Sequence, residues 1–166
     1  DFGDIAVSGV KGGLDVDSDS GDITVRNIEA GSASIDLRSD FGEITLEDAQ
    51  GNDVEAHSNS GRITFQRIDA AGYMILTSDF GKLVFEKGSA ASLVIEANSG
   101  SITLTDLVIE GALEAHSDFG AIKIKAHLVE KVRTKTRTLD RFQELLWDDH
   151  IGVDIDQRHR GRDAAK

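Results

Sequence analysis

Ser39-Asp40-Phe41-Gly42-Glu43-Ile44-Thr45-Leu46 decides how this chain folds, because the same phrase, with small changes, occurs seven times in the first 126 residues. Its glycines are Gly3, Gly21, Gly42, Gly61, Gly81, Gly100 and Gly120. Two positions before each stands Asp1, Asp19, Asp40, Asn59, Asp79, Asn98 or Asp118. Two positions after each stands Ile or Leu, from Ile5 to Ile122. Self-similarity at a fixed period marks a repeat architecture in which each unit stacks on the next.

Around each glycine the apolar residues alternate with others. Pairs such as Leu14/Val16, Ile35/Leu37, Val54/Ala56 and Leu93/Ile95 precede it, and runs such as Asp22-Ile23-Thr24-Val25 follow. Alternation with period two over such short runs predicts strands with one buried face. Each unit is therefore a strand, a glycine turn, a second short strand and a looser polar loop. An Asp or Asn can bond its own downstream backbone, and glycine two residues later tolerates positive φ. On that ground Gly81 is expected to accept a side chain less readily than Gly88, which lies outside the repeated turn.

The residue just before the glycine adds a second layer of order, running Phe2, Ser20, Phe41, Ser60, Phe80, Ser99, Phe119. Like glycines are 39 or 40 residues apart, whereas neighbouring ones are separated by 18 to 21. Stacked coils need matching path lengths, so the spacing favours a coil of about 39 residues made of two related halves of about 20. Phe would then stack on Phe, and parity along the strand would point Phe2, Phe41, Phe80 and Phe119 into the core. A coil made of a single half-unit, stacking Phe and Ser alternately, is the rival. The predicted fold is an all-β, single-stranded β-solenoid over residues 1–126, with a different C-terminal segment over 127–166.

In that segment Arg133–Thr138 alternates cations with threonine, as an exposed edge strand does. Leu139, Phe142, Leu145 and Leu146, with Trp147 beside them, recur at helical spacing and predict a short amphipathic α-helix. Such a helix is too short to stand alone, so it is expected to cap the last coil or to bind a partner, including a second copy. Ile151–Asp156 reads as one more short strand, followed by a charged tail.

Composition narrows the function. The net charge is −12, with 22 acids and 7 bases in residues 1–122 against 8 acids and 11 bases in residues 123–166. An acidic body disfavours nucleic acid and anionic membrane as partners. There is no cysteine, so thiolate metal sites and disulfides are excluded. No apolar run approaches the length that spans a bilayer. The chain opens inside a repeat phrase, which reads as a truncated start with any export signal lying upstream.

Motifs for chemistry are missing: no phosphate loop, dinucleotide fingerprint, zinc-protease helix or nucleophile elbow is present. His57 and His116 share the context Glu-Ala-His-Ser and read as exposed strand residues. Asp15, Asp17, Asp19 and Asp22 cluster in sequence and could form a weak calcium site, although the glycine-rich calcium repeat is absent. No cofactor and no catalytic residue is expected.

The phrases S-D-S-G-D-I-T-V, S-D-F-G-E-I-T-L, S-N-S-G-R-I-T-F and A-N-S-G-S-I-T-L resemble the bacterial β-strand-repeat family of adhesin-like, or toast-rack, domains, over residues 1–126. The resemblance implies a right-handed β-solenoid without catalytic residues, often in extracytoplasmic parts of cell-envelope proteins. It implies a non-enzymatic scaffold that binds other proteins. A carbohydrate-binding or carbohydrate-cleaving β-helix and a solenoid that self-assembles end to end are the alternatives.

Overall fold

The computed structural model describes residues 3–128, 131–136 and 151–155, and side chains over 3–125. Over these residues it is all-β. Among them thirteen strands run in chain order: β1 (Ile5–Ser8), β2 (Leu14–Ser20), β3 (Ile23–Glu29), β4 (Ile35–Phe41), β5 (Ile44–Gly51), β6 (Val54–Ser60), β7 (Ile63–Phe80), β8 (Leu83–Ser99), β9 (Ile102–Ile109), β10 (Ala112–Phe119), β11 (Ile122–Leu128), β12 (Lys131–Thr136) and β13 (Ile151–Ile155). Every pairing is parallel and joins one turn to the next. One ladder runs β1-β3-β5-β7-β8-β9-β11-β13, and a second runs β2-β4-β6-β7-β8-β10-β12, with the long strands β7 and β8 belonging to both. The result is a parallel β-solenoid of about six turns.

Register settles the size of a turn. Ser20 pairs with Phe41, Phe41 with Ser60, Ser60 with Phe80, and Phe80 with Ser99. Phe therefore stacks on Ser, and a turn is one interval between neighbouring glycines rather than two. The 39-residue coil is corrected to two turns. Turn length varies because only the paired segments must match. Gly31–Ser34 forms a connecting loop between β3 and β4, whereas Ala71 and Gly72 are absorbed within β7 at a register shift between Ala70 and Tyr73.

The interior is built from rows. Ile23, Ile44, Ile63, Leu83, Ile102 and Ile122 form one, all fully buried; the row two residues on carries Phe65 and Phe85, whose rings meet edge-to-face with centroids 6.1 Å apart. On the other ladder Ile35, Val54, Met74, Leu93 and Leu113 stack in the same way. Each row continues through the stack, so a side chain removed from one turn opens a void between its neighbours above and below. Between these rows and the glycine runs Ser18, Ser39, Ser58, Ser78, Ala97 and Ser117, also buried.

Phe41, Phe80 and Phe119 are not in the core: they are 63%, 65% and 44% exposed. The parity argument fails at the corner. Alternation holds along an extended strand up to the buried serine, and the chain then turns outward before the glycine. Phe2 lies outside the described residues, as do Leu139, Phe142, Leu145, Leu146 and Trp147 and the helix expected there. The strand expected near Arg133 is β12, which pairs with β10, and the one at Ile151 is β13, which pairs with β11.

Candidate interaction surface

At the glycine corner the backbones of neighbouring turns approach too closely to admit a side chain. A Cβ on Gly61 would lie 1.8 Å from the carbonyl oxygen of Gly42, and one on Gly81 1.8 Å from that of Gly61. Gly61 and Gly81 do not have left-handed backbones, unlike Gly21, Gly42 and Gly120. What the corner glycines from Gly21 to Gly120 share is the close approach, not positive φ. Gly88 proves equally closed, since a Cβ there would sit 2.1 Å from the Ile68 carbonyl oxygen. The expected contrast with Gly81 is therefore lost.

On the outside of this corner two rows run along the stack. In one, Phe41, Phe80 and Phe119 alternate with Ser20, Ser60 and Ser99. In the other, immediately before it, the Asn59 amide donates to the Asp40 carboxylate at 2.8 Å and the Asn98 amide to Asp79 at 2.6 Å. His116 Nε2 and Asp118 Oδ1 are 3.0 Å apart. The phenylalanine turns thus carry Asp-Phe (Asp40-Phe41, Asp79-Phe80, Asp118-Phe119), and two of the serine turns carry Asn-Ser. Beyond the glycine, Asp4 and Asp22 cap backbone N–H groups of the following turn, at Asp22 and Glu43. The same corner carries Arg62 and Lys82 in later turns.

The remaining sequence candidates are dispersed. His57 and His116 occupy one outward row but three turns apart, with His57 Nδ1 2.6 Å from Thr77 Oγ1 and Nε2 3.1 Å from Asn59 Oδ1. Asp15, Asp17 and Asp19 follow one another along the outward side of β2, while Asp22 lies past the corner with its carboxylate on the Glu43 N–H. Among the described residues no three acids or histidines converge on a metal-sized point, so the calcium cluster seen in sequence is not brought together. Among the same residues no helix is long and apolar enough to cross a membrane.

A feature the sequence reading missed lies at a second corner. Asn27, Asp48, Arg67, Lys87 and Asp106 all have φ between 54° and 58°, six residues after their glycines. This left-handed kink turns the strand without glycine in five successive turns. Its only sequence signal is polarity at one fixed offset. There Arg67 forms a two-armed contact with Asp48, with one arm at 2.9 Å, which lowers the Asp48 pKa and raises that of Arg67. Elsewhere the Tyr73 hydroxyl donates to Glu55 at 2.9 Å, and that bond together with the acid's charge raises the tyrosine pKa. These are surface pairs; Asp48 and Arg67 line an open depression of about 340 Å³ together with Asn27, Glu29, Gln50 and Asp69.

The rows of Gly, Asx and small core residues repeat without a break through most of the chain. The family model Toastrack DUF4097 matches residues 30–138. The chain belongs to the Toastrack DUF4097 family. That match spans the turns carrying Phe41, Phe80 and Phe119 and reaches past β12. No curated protein and no solved structure matches the chain.

Proposed function

We propose that this Toastrack chain is a non-enzymatic, adhesin-like interaction module of the bacterial cell envelope, wound in the right-handed sense that parallel β crossovers nearly always take. The observation that carries the reading is the exposed phenylalanine row on a stiff corner. A solvent-facing Phe gains almost nothing from folding, and serine occupies the same corner in alternate turns without disturbing it. An apolar row of that kind, set on a scaffold, is the usual mark of a binding surface. An active site, by contrast, needs a few unlike groups converging in a recess. Here each outward group is one member of a row.

Fractionation of cells producing the protein from its native gene tests the location, with recovery outside the cytoplasm expected. Binding of the purified chain to bacterial envelope fractions tests the role, with loss expected when Phe41, Phe80 and Phe119 are all changed to Ser. Turnover of a polysaccharide or peptide by the purified chain overturns the reading. End-to-end association is a second reading. It rests on the parallel stacking of every turn on the next, since a strand edge left open at the end of such a stack invites a further strand. Light scattering across a concentration series decides it.

A further inference from the structure

Two periods are superposed in this molecule. The fold repeats every turn, but the Asp-Phe pair repeats every second turn, at Asp40-Phe41, Asp79-Phe80 and Asp118-Phe119. Stacking needs only the shorter period. Phe41, Phe80 and Phe119 are exposed, and Ser60 and Ser99 stand between them in the same ladder. Parallel strands lie about 4.8 Å apart, so the phenylalanines recur about every 9.6 Å along a nearly straight line. The backbone hydrogen bonds from Gly42, Gly61, Gly81 and Gly100 to the next turn, all between 2.8 and 3.1 Å, hold that spacing.

A ligand that meets all three rings must offer an apolar group at the same interval. A polyproline II helix has three residues per turn and advances about 9.3 Å in that distance, so a proline at every third position presents its ring on one line. Over the two intervals from Phe41 to Phe119 the mismatch accumulates to only about 0.6 Å. An extended strand repeats on one face at about 6.8 Å and falls out of step after one contact, while an α-helix, which returns to the same face every seven residues at about 10.5 Å, accumulates a mismatch of about 1.8 Å over the same two intervals, about three times that of polyproline II. Aromatic ridges are also what proline-rich segments dock on elsewhere, because the ligand's conformation is already ordered.

Charge selects further. The flank before the rings carries the carboxylates of Asp40, Asp79 and Asp118, and the flank beyond the glycine is mixed, with Glu43, Arg62 and Lys82. The geometry points to a basic, proline-rich segment in polyproline II form as the partner of this corner. It would seat a proline between or against successive rings and turn its Arg or Lys side chains to the aspartate flank. This assignment rests on the reading of the chain as an interaction module and names the partner class.

The experiment uses the full chain and a fluorescent synthetic peptide with proline at every third position and arginine before each proline, read by anisotropy. Saturable binding that weakens as salt rises is expected. Phe80→Ser installs the residue native to the neighbouring turns, so the fold is retained, and binding should fall by about tenfold or more. Asp79→Asn, which copies Asn59 and Asn98, should weaken it about two- to threefold and flatten the salt dependence. A peptide of the same composition with proline at every fourth position should bind about tenfold more weakly. Equal binding of the two peptides, or an unchanged affinity in Phe80→Ser with unchanged circular dichroism, overturns the proposal. So does no binding at all, or binding of a β-1,4-linked oligosaccharide in place of the peptide. In the oligosaccharide case the module survives and only its ligand class changes, whereas turnover of that sugar would remove both.

Discussion

Gly61→Ala isolates the reason for the glycine row. Gly61 has no left-handed backbone, so a conformational account predicts little harm from alanine. The structure predicts otherwise, because the new Cβ would lie 1.8 Å from the Gly42 carbonyl oxygen, where real contacts essentially never fall below 3.0 Å. The atom in the way is backbone and cannot swing aside. The two turns must part until the shortfall between those two distances is made up. The bonds that straddle the site, Gly42 N–H to Ser60 O at 3.1 Å and Ile44 N–H to Arg62 O at 2.8 Å, would then be stretched or lost. Two such bonds contribute about 0.5–1.5 kcal/mol each, and overpacking adds about 1–3 kcal/mol. The sum is a loss of about 2–6 kcal/mol.

Gly31→Ala is the matched control. Gly31 does have a left-handed backbone (φ +65°), yet a Cβ there meets nothing within 4 Å. Its cost is the local one of about 1–2 kcal/mol, partly offset by a less flexible unfolded chain. Urea unfolding followed by circular dichroism separates the two. For a chain of 166 residues each kcal/mol moves the melting temperature by about 2–4 °C, so that of Gly61→Ala should fall by about 4–24 °C. A lowered urea slope would show the halves on either side of the damaged junction uncoupling, as repeat stacks can. If Gly61→Ala costs no more than Gly31→Ala, close approach is not why glycine stands in this row.

Four further outcomes are expected. Phe80→Ala should cost under about 1 kcal/mol in urea unfolding because the ring is exposed, whereas core burial, which its sequence position suggests, would make it about 3–5 kcal/mol; Phe85→Ala, fully buried, should show that larger loss. Ser39→Ala should be neutral or stabilising by up to about 1 kcal/mol, since its buried Oγ has no partner, while Ser117→Ala should lose about 1 kcal/mol with the bond it donates to the Gly100 carbonyl at 3.0 Å. Asp106→Gly should stabilise by about 0.5–1 kcal/mol, because relief of the left-handed strain exceeds the entropy glycine adds to the unfolded chain. Tyr73, the single tyrosine, should ionise above the ordinary phenol range in an absorbance titration. Because its folded pKa is raised, its stabilising contribution is present below the unfolded pKa and lost as pH rises through the folded one; Glu55→Gln should bring the titration back towards normal.

The strands, the corner glycines and the solenoid were legible because period-two alternation and the repeated phrase report directly on pairing and burial. The turn length was not, since two arrangements satisfy the same spacings. Equal path lengths were expected of whole coils, but only the paired segments have to match. The loop at Gly31–Ser34 and the register shift after Ala70 absorb the difference. The better signal was the residue three before each glycine. It is Ser18, Ser39, Ser58, Ser78, Ala97 and Ser117, small in every turn regardless of whether Phe or Ser follows. A uniformly small inward row means one interior environment per turn, and therefore a turn that spans a single glycine-to-glycine interval. The same row marks where inward alternation stops, which is why the phenylalanines two positions later face water.

The spacing along the outward rows is set by main-chain hydrogen bonds and by the close glycine contact, neither of which depends on the outward side chains. Substituting Ser for Phe or Asn for Asp at the corner therefore changes the surface without altering the scaffold's repeat. In a globular enzyme the residues that bind and the residues that fold are entangled around one cavity, and a motif search can find them as a local signature. Here folding uses the inward rows and the glycines, and recognition is left to outward rows whose members are a full turn apart in sequence but neighbours in space. No local motif can represent such a site. What can represent it is a departure from the fold's own period, and the Asp-Phe pair at every second turn is the departure this chain displays.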